Sequence, residues 1–285
     1  MVINVEIMSG AGNLFSVIDN RELNLNREKA KNLAPIVCRK AYNNTMDTDG
    51  LLLITQGREE YKVNVDFYNP DGSTSMMCGN GARCAILYAS NYGLISEGNN
   101  DLISFKMAGN IYKAQINANN IKIYFPPPLE ISLDLMFTVS YGKVFADYVN
   151  VNSDHLLIYK NDFEKFFGLG LEQINLNMFA PDLRNHSSLP NGANVDVYSI
   201  ENRIIHLRTY ERGVEAETSA CGTGAISVAL IGAIKHNLRF PIEIIPKSKK
   251  KLVVDIIGDI DQFIEAIILE GDAEFVGNFL YDIKQ

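Results

Sequence analysis

The chain has 285 residues, 47% of them apolar, a formal net charge of −8, four cysteines and no tryptophan. That is enough for one large or two medium domains, and the composition excludes collagen-like, disordered and disulfide-scaffold classes. The acidic balance argues against nucleic acid, whose phosphates are held by Lys and Arg. The one basic cluster, Lys247 with Lys249, Lys250 and Lys251, reads as a solvated loop or strand edge.

In chain order, strands are predicted at 1–7 and 14–19, a helix at 27–38 with Asn26 as its cap, strands at 50–55 and 61–68, a helix at 81–91, and strands at 102–105 and 120–125. Gly98-Asn99-Asn100 and the Asn-rich run 117–120 read as turns. Pro126-Pro127-Pro128 cannot continue a strand ladder, so it marks a domain boundary or a proline-rich loop inside one domain. Beyond it come strands at 148–159, 193–200, 204–210, 242–245, 251–257, 263–270 and 273–280, with helices at 172–179 and 222–235. The fold class is α+β, strand-rich with isolated helices and no regular βαβ repetition. The boundary reading gives an N-terminal half, 1–128, and a C-terminal half, 129–270. A last strand within 271–285 returns to the N-terminal domain.

The first residues carry Asn4 and Glu6 and no basic start before a long apolar run, so no signal peptide is expected. No window approaches 18 uninterrupted apolar residues, so no membrane span is expected either. A reducing cytoplasm is the expected compartment, where thiols stay free unless they are catalytic or bind metal. The chain has no CxxC pair, and His155, His186, His206 and His236 are scattered, so no metal site is expected.

One short repeat stands out. Cys78-Gly79-Asn80-Gly81-Ala82 reappears as Cys221-Gly222-Thr223-Gly224-Ala225, one copy on each side of the prolines and each ahead of a helical window. Glycines let backbone N–H groups approach a ligand closely, and a helix start offers free N–H groups at its positive end. The same field stabilises a thiolate. A single copy would more simply be a packed cysteine beside a Gly-rich helix start, but two copies suggest two acid/base thiols and a held carboxylate. Inversion of a stereocentre through a carbanion needs a base on one face and an acid on the other. Cys38 and Cys84 lack this context and read as core residues.

Three stretches resemble, in order, the diaminopimelate epimerase family. They are Ser9-Gly10-Ala11-Gly12-Asn13-Leu14-Phe15-Ser16-Val17-Ile18-Asp19, then Asn69-Pro70-Asp71-Gly72-Ser73 with Met77-Cys78-Gly79-Asn80-Gly81-Ala82-Arg83-Cys84, and finally Tyr210-Glu211-Arg212-Gly213 with Ala220-Cys221-Gly222-Thr223-Gly224-Ala225. The resemblance implies two pseudo-symmetric strand-rich α/β domains, each a barrel-like sheet around a central helix, in a homodimer. It implies cofactor-independent epimerisation of LL-2,6-diaminopimelate to the meso form, with Cys78 and Cys221 alternating as base and acid. By the same resemblance Gly79, Asn80, Gly222 and Thr223 donate backbone N–H groups to the α-carboxylate, and His155 and Glu211 sit beside the reacting centre. Asn13, Asn69, Asn194 and Arg212 grip the substrate, the last three on its distal carboxylate. Read alone, Asn13, Asn69 and Asn194 are turn candidates, Glu211 and Arg212 an exposed ion pair, and His155 structural.

Three departures from the family pattern fall near the implied substrate. Asn152-Ser153-Asp154-His155 stands where the family has Gly-Asn-Pro-His, so Ser153 replaces a substrate-binding Asn. Thr45-Met46-Asp47-Thr48 replaces a Gly-rich run before Asp49, and Gly50 stands where some members carry Gln. The segment from Glu211 to Cys221 is one residue longer. The chemistry is therefore better supported than the substrate. A racemase of the same family acting on another amino acid is the alternative, and a non-catalytic binding protein or thiol redox sensor is a third reading.

Overall fold

The computed structural model describes residues 1–39, 47–74, 77–95, 101–117 and 120–283. Thr45, Met46 and most of the two Asn-rich turns, residues 98–100 and 118–119, lie outside them. The chain divides into two compact units, Met1–Tyr124 with Glu270–Gln285, and Phe125–Leu269.

In the first unit the strands neighbour one another in the order Glu274–Asp282, Val2–Gly10, Asn13–Asp19, Gly50–Arg58, Tyr61–Tyr68, Ile103–Met107, Asn110–Asn117 and Asn120–Phe125. Two neighbouring pairs are parallel, Asn13–Asp19 with Gly50–Arg58 and Tyr61–Tyr68 with Ile103–Met107. A parallel pair requires a crossover. Helix Arg27–Arg39 (α1) lies in the first, and helix Gly79–Asn91 (α2) in the second. Asn26 accepts the Lys29 N–H at 2.9 Å, as the expected cap of α1. Ala30, Leu33, Ala34 and Val37 bury one helical face. By contrast α2 is buried from Gly79 to Ala89 and packs against five strands of its own unit, the four from Val2–Gly10 to Tyr61–Tyr68 and Asn110–Asn117. It is the central helix of this unit.

The second unit repeats the scheme. Its strands run in the order Glu130–Val139, Gly142–Asn150, Asp154–Tyr159, Asn194–Glu201, Ile204–Glu211, Ile242–Ile245 and Leu252–Asp259, followed by the strand that begins at Phe263. Again two pairs are parallel, Asp154–Tyr159 with Asn194–Glu201 and Ile204–Glu211 with Ile242–Ile245. Helix Leu176–Arg184 (α3) lies in the first crossover and Gly222–His236 (α4) in the second. The α4 sequence is apolar on all sides and packs against six strands of its unit, which is where such a helix must sit. The alternation of antiparallel and parallel pairs thus occurs twice, and each Cys-Gly-x-Gly copy opens the second crossover helix. This bears out the α+β reading with two strand-rich units, each around a central helix.

Several elements differ from expectation. The run read as one strand over 148–159 breaks into Gly142–Asn150 and Asp154–Tyr159, because Asn152 takes a left-handed φ of 62° and reverses the chain. The helix expected at 172–179 is a 3₁₀ turn, Leu171–Gln173, followed by α3. Strands Asn110–Asn117 and Glu130–Val139 were not expected; the second is mostly exposed and follows the prolines, so no apolar run marks it. The basic cluster is balanced by carboxylates: Lys247 pairs with Glu217 at 3.1 Å, Lys251 with Glu243 at 2.9 Å, and Lys249 with Glu172. Among the described residues no helix is long and apolar enough to cross a membrane.

Candidate active site

Cys78 is the N-cap of α2, with φ −113° and ψ 110°, and its Sγ accepts the Gly81 N–H at 3.4 Å. A thiol in this position faces the positive end of the helix. The hairpin ahead of Asn13 turns through Ala11 (φ 53°) and Gly12 (φ 90°), the two left-handed residues of a tight turn between paired strands. That turn presses on the helix start: a Cβ at Gly10 would lie 2.5 Å from the Asn80 carbonyl oxygen. Asn13 is thereby buried at the head of its strand. Asn69 lies in the loop after Tyr61–Tyr68, where its amide donates to Ser73 Oγ at 2.8 Å and its carbonyl accepts the Gly72 N–H at 2.9 Å.

Arg83, one turn into α2, is fully buried. Its Nη2 donates to Asn80 Oδ1 at 2.7 Å and its Nε to the Asp272 carbonyl at 3.1 Å. Burial pushes the guanidinium below its ordinary value, while Cys84, Cys78 and Asp272 act to raise it. By reciprocity its charge favours the Cys78 thiolate. Replacing Arg83 by Met is expected to slow alkylation of Cys78 at pH 7 about tenfold, read by peptide mass spectrometry. The fold should tolerate the change, since two charged hydrogen bonds worth about 1.5–3 kcal/mol each are offset by relief of a buried charge costing several kcal/mol. An unchanged Cys78 rate would remove Arg83 from the site. Cys84 and Cys38, by contrast, are buried thiols pushed up by desolvation, Cys38 to about 11, as expected of core residues.

In the second unit Cys221 is likewise the N-cap, of α4, with φ −115° and ψ 116°, and its Sγ accepts the Gly224 N–H at 3.4 Å. The surroundings differ. Thr223 Oγ1 lies 3.5 Å from Sγ and 2.9 Å from His155 Nε2. His155 Nδ1 is 2.6 Å from Asp196 Oδ2, both side chains being wholly inaccessible, and Thr209 Oγ1 donates to Asp196 Oδ1 at 2.6 Å. His155 and Asn194 are opposite one another on paired parallel strands, with Asp196 two residues further along. Burial raises the Glu211 carboxyl, against the lowering effect of bonds with Cys221 and Thr218. Burial also raises the Cys221 thiol well above its ordinary value; Glu211 and Asp196 add to this, and Thr223 opposes it.

Asn194 organises the strand ends beside this cluster. Its Nδ2 donates to Ser153 Oγ and the Asp154 carbonyl, each at 3.0 Å, and lies 3.3 Å from His155 Nε2; its Oδ1 accepts the Arg212 N–H at 2.8 Å. Arg212 Nη1 pairs with Asp154 Oδ2 at 2.8 Å and also donates to the Asn191 and Gly192 carbonyls. The structure therefore gathers His155, Asn194, Glu211, Arg212, Gly222, Thr223 and Cys221 into one network. It sets Asn13, Gly79, Asn80 and Cys78 around the start of α2. Arg83, Asp154, Asp196 and Thr209 were not singled out as site residues. An Arg in an otherwise apolar helical window was a usable signal for the first. Asp196 and Thr209 sit inside strands and are recognisable only through the partners that pairing brings.

The duplicated helix-centred unit has counterparts among solved structures. A phenazine biosynthesis protein of the PhzF family from Bacillus anthracis matches with a TM-score of 0.74 at 14% identity, over 99% of both chains. A hydroxyproline epimerase from Agrobacterium vitis matches with a TM-score of 0.70 at 12% identity, over 98% of this chain and 92% of that one. Fold and repeated cysteine caps together define a class of two-unit, strand-rich α+β proteins with a cysteine-capped helix at the centre of each unit. The family model for diaminopimelate epimerase matches residues 5–126, and the diaminopimelate epimerase of Aquifex aeolicus is 31% identical over 90% of each chain. The chain belongs to the diaminopimelate epimerase family, a family of isomerases.

Proposed function

We propose that this protein converts LL-2,6-diaminopimelate to the meso form by proton transfer at the α-carbon, without a cofactor. The observation that carries this reading is the repeated Cys-Gly-x-Gly helix start in a chain 31% identical to the Aquifex aeolicus enzyme. One cysteine, as thiolate, removes the α-proton; the other, as thiol, returns a proton to the opposite face. The α-C–H of an amino acid is a very weak acid, so the enediolate-like carboxylate must be stabilised electrostatically. Backbone N–H groups of Gly79, Asn80, Gly222 and Thr223 at the two helix starts suit that task. His155 and Glu211 flank the reacting carbon, while Asn13, Asn69, Asn194 and Arg212 hold the substrate. In this reading the halves 1–128 and 129–270 each supply one thiol, and the last strand belongs with the first half. A cytoplasmic homodimer goes with it, giving a light-scattering mass twice the 31.8 kDa of one chain.

A second reading keeps the mechanism and changes the substrate to another amino acid. It is favoured by one observation, the pairing of Arg212 with Asp154 at 2.8 Å, which neutralises a cation suited to a distal carboxylate. Incubation in D₂O with no added pyridoxal phosphate tests both readings. Deuterium at the α-carbon together with meso product supports the first. Strong turnover of a monocarboxylate and none of diaminopimelate supports the second, and no exchange with any amino acid overturns both.

A further inference from the structure

Phe67, the next-to-last residue of strand Tyr61–Tyr68, is half-buried, whereas the Phe15 and Leu52 side chains beside it are buried. We propose that the Phe67 ring is a specificity-determining wall of the site, on which the carbon chain of the amino-acid substrate lies while Cys78 works at the α-carbon. The ring selects a substrate whose polar ends are joined by a run of CH₂ groups over one with a short polar side chain. The proposal rests on the acid/base role of Cys78 given above and adds what recognises the apolar part of the substrate.

Strand register places the ring there. Side chains alternate between the two faces of a sheet. Asn13 and Phe15 share a face of their strand, Phe15 is paired with Gly50, and Leu52 with Phe67. All five residues therefore face the same way, and α2 begins on that side. A Cβ at Gly81 would lie 3.3 Å from a Leu52 methyl, 3.4 Å from the Phe15 ring and 3.6 Å from Cys78 Sγ. Tyr68, on the opposite face, joins the cluster formed with α1. Strands Asn13–Asp19 and Gly50–Arg58 start, and Tyr61–Tyr68 ends, at the same end of the sheet. Asn13 heads the first of these strands and Asn69 follows the last. The two amides assigned to the substrate thus stand at the strand ends that carry the rings.

The Phe67 ring has a fixed seat. A Cβ at Gly50 would lie 2.2 Å from Phe67 Cε2 and 3.0 Å from Cζ, so the ring rests directly on bare backbone. A glycine in a strand weakens it and marks a close approach. Here the approaching group is the ring. Phe15 meets it edge to face, with centroids 6.0 Å apart and planes at 70°. One side of Phe67 is thus covered by protein, and the rest of its apolar area gains from being covered by CH₂ groups of a ligand, by up to about fourfold in affinity for each one buried. A carboxylate or amide laid on the ring loses water and finds no donor in exchange. The polar ends of the substrate therefore go to the amides and helix-start N–H groups, and the chain between them to Phe67.

Cys78, which is only partly buried, serves as the probe in the test. Wild type, F67A, F67L and F67Q are reacted at pH 7 with N-methyl-, N-ethyl-, N-propyl- and N-butylmaleimide. The Cys78 rate is read by peptide mass spectrometry and divided by that of free N-acetylcysteine. In the wild type this ratio is expected to rise along the series, by up to about fourfold per CH₂, in F67A to stay flat, and in F67L to keep most of its rise. Because slopes are compared, a change in the thiolate fraction of Cys78 cancels. F67Q, which fills the space with a polar side chain, should also be flat and decides if F67A fails to fold. A second arm measures turnover: F67A is expected to raise KM for diaminopimelate about tenfold with kcat little changed, and F67L to raise it less. A flat wild-type series, a wild-type slope persisting in F67A or F67Q, or an unchanged KM in F67A overturns the proposal. Absence of diaminopimelate turnover by the wild type overturns the substrate reading alone, since the maleimide slopes need no substrate.

Discussion

Alanine at either Cys78 or Cys221 is expected to lower epimerisation by about 10⁴-fold or more, and the double variant to be no worse than the singles, because paired acid/base groups act as a unit. The singles should nonetheless differ from the double in one respect. Each retains one thiol, so each should exchange the α-hydrogen of one diaminopimelate isomer with solvent without inverting it. C78A should serve one isomer and C221A the other, read by mass spectrometry of substrate recovered from D₂O. Loss of fold is not an adequate explanation for such a result. What alanine removes structurally includes a helix cap, the contact at 3.4 Å to Gly81 or Gly224, and caps are worth about 1 kcal/mol. A thermal midpoint within a few degrees of wild type would confirm that reasoning. Near-full epimerisation in either single variant would sink the two-base mechanism, and exchange of the same isomer by both would sink the division of faces.

The elements that carry the cysteines were legible because their signals are local. The glycines and the apolar helix after each motif identify a buried helix start without any knowledge of neighbours, and the repeat itself showed that there are two. The Asn26 cap of α1 was legible for the same reason. What escaped depends on pairing or on single dihedrals. The break at 151–153 turns on one left-handed residue, Asn152, within a run whose β-branched and apolar residues otherwise read as continuous strand. Strand Glu130–Val139 carries a partly exposed face and lacks the alternation that burial of one side would impose. The charge relations of the second cluster were illegible in principle. His155 and Asp196 lie 41 residues apart in sequence, and only the parallel register of Asp154–Tyr159 with Asn194–Glu201 sets one beside the other. Ser153 was noted as a departure from the family pattern; it bonds Asn194, and it is its neighbour Asp154 that pairs with Arg212.

Arg212→Met is expected to cost diaminopimelate turnover about 2–5 kcal/mol in kcat/KM, roughly 30-fold to several thousand-fold, as removal of one member of a largely buried, hydrogen-bonded charge pair does. Asp154→Asn is the more informative change, because it preserves shape while removing the charge that engages Nη1. With that oxygen neutral, the guanidinium is released toward a substrate carboxylate, and KM for diaminopimelate should fall several-fold with kcat little changed. An independent readout comes from Tyr148, whose hydroxyl donates to Asp154 Oδ1 at 2.6 Å. Burial together with that carboxylate pushes its phenol up to about 12, and in the Asn variant it should titrate closer to its ordinary value whatever the substrate result. If the phenol moves and KM rises instead, Asp154 is itself a substrate contact. A carboxylate there would suit the distal ammonium of diaminopimelate, and the Arg212–Asp154 pair would then recognise both charges of one amino-acid end. If the phenol moves and neither kinetic constant does, this pair lies outside the specificity-determining contacts. The altered Asn152-Ser153-Asp154-His155 stretch would then act through Ser153, for which Ser153→Asn is the corresponding restoration.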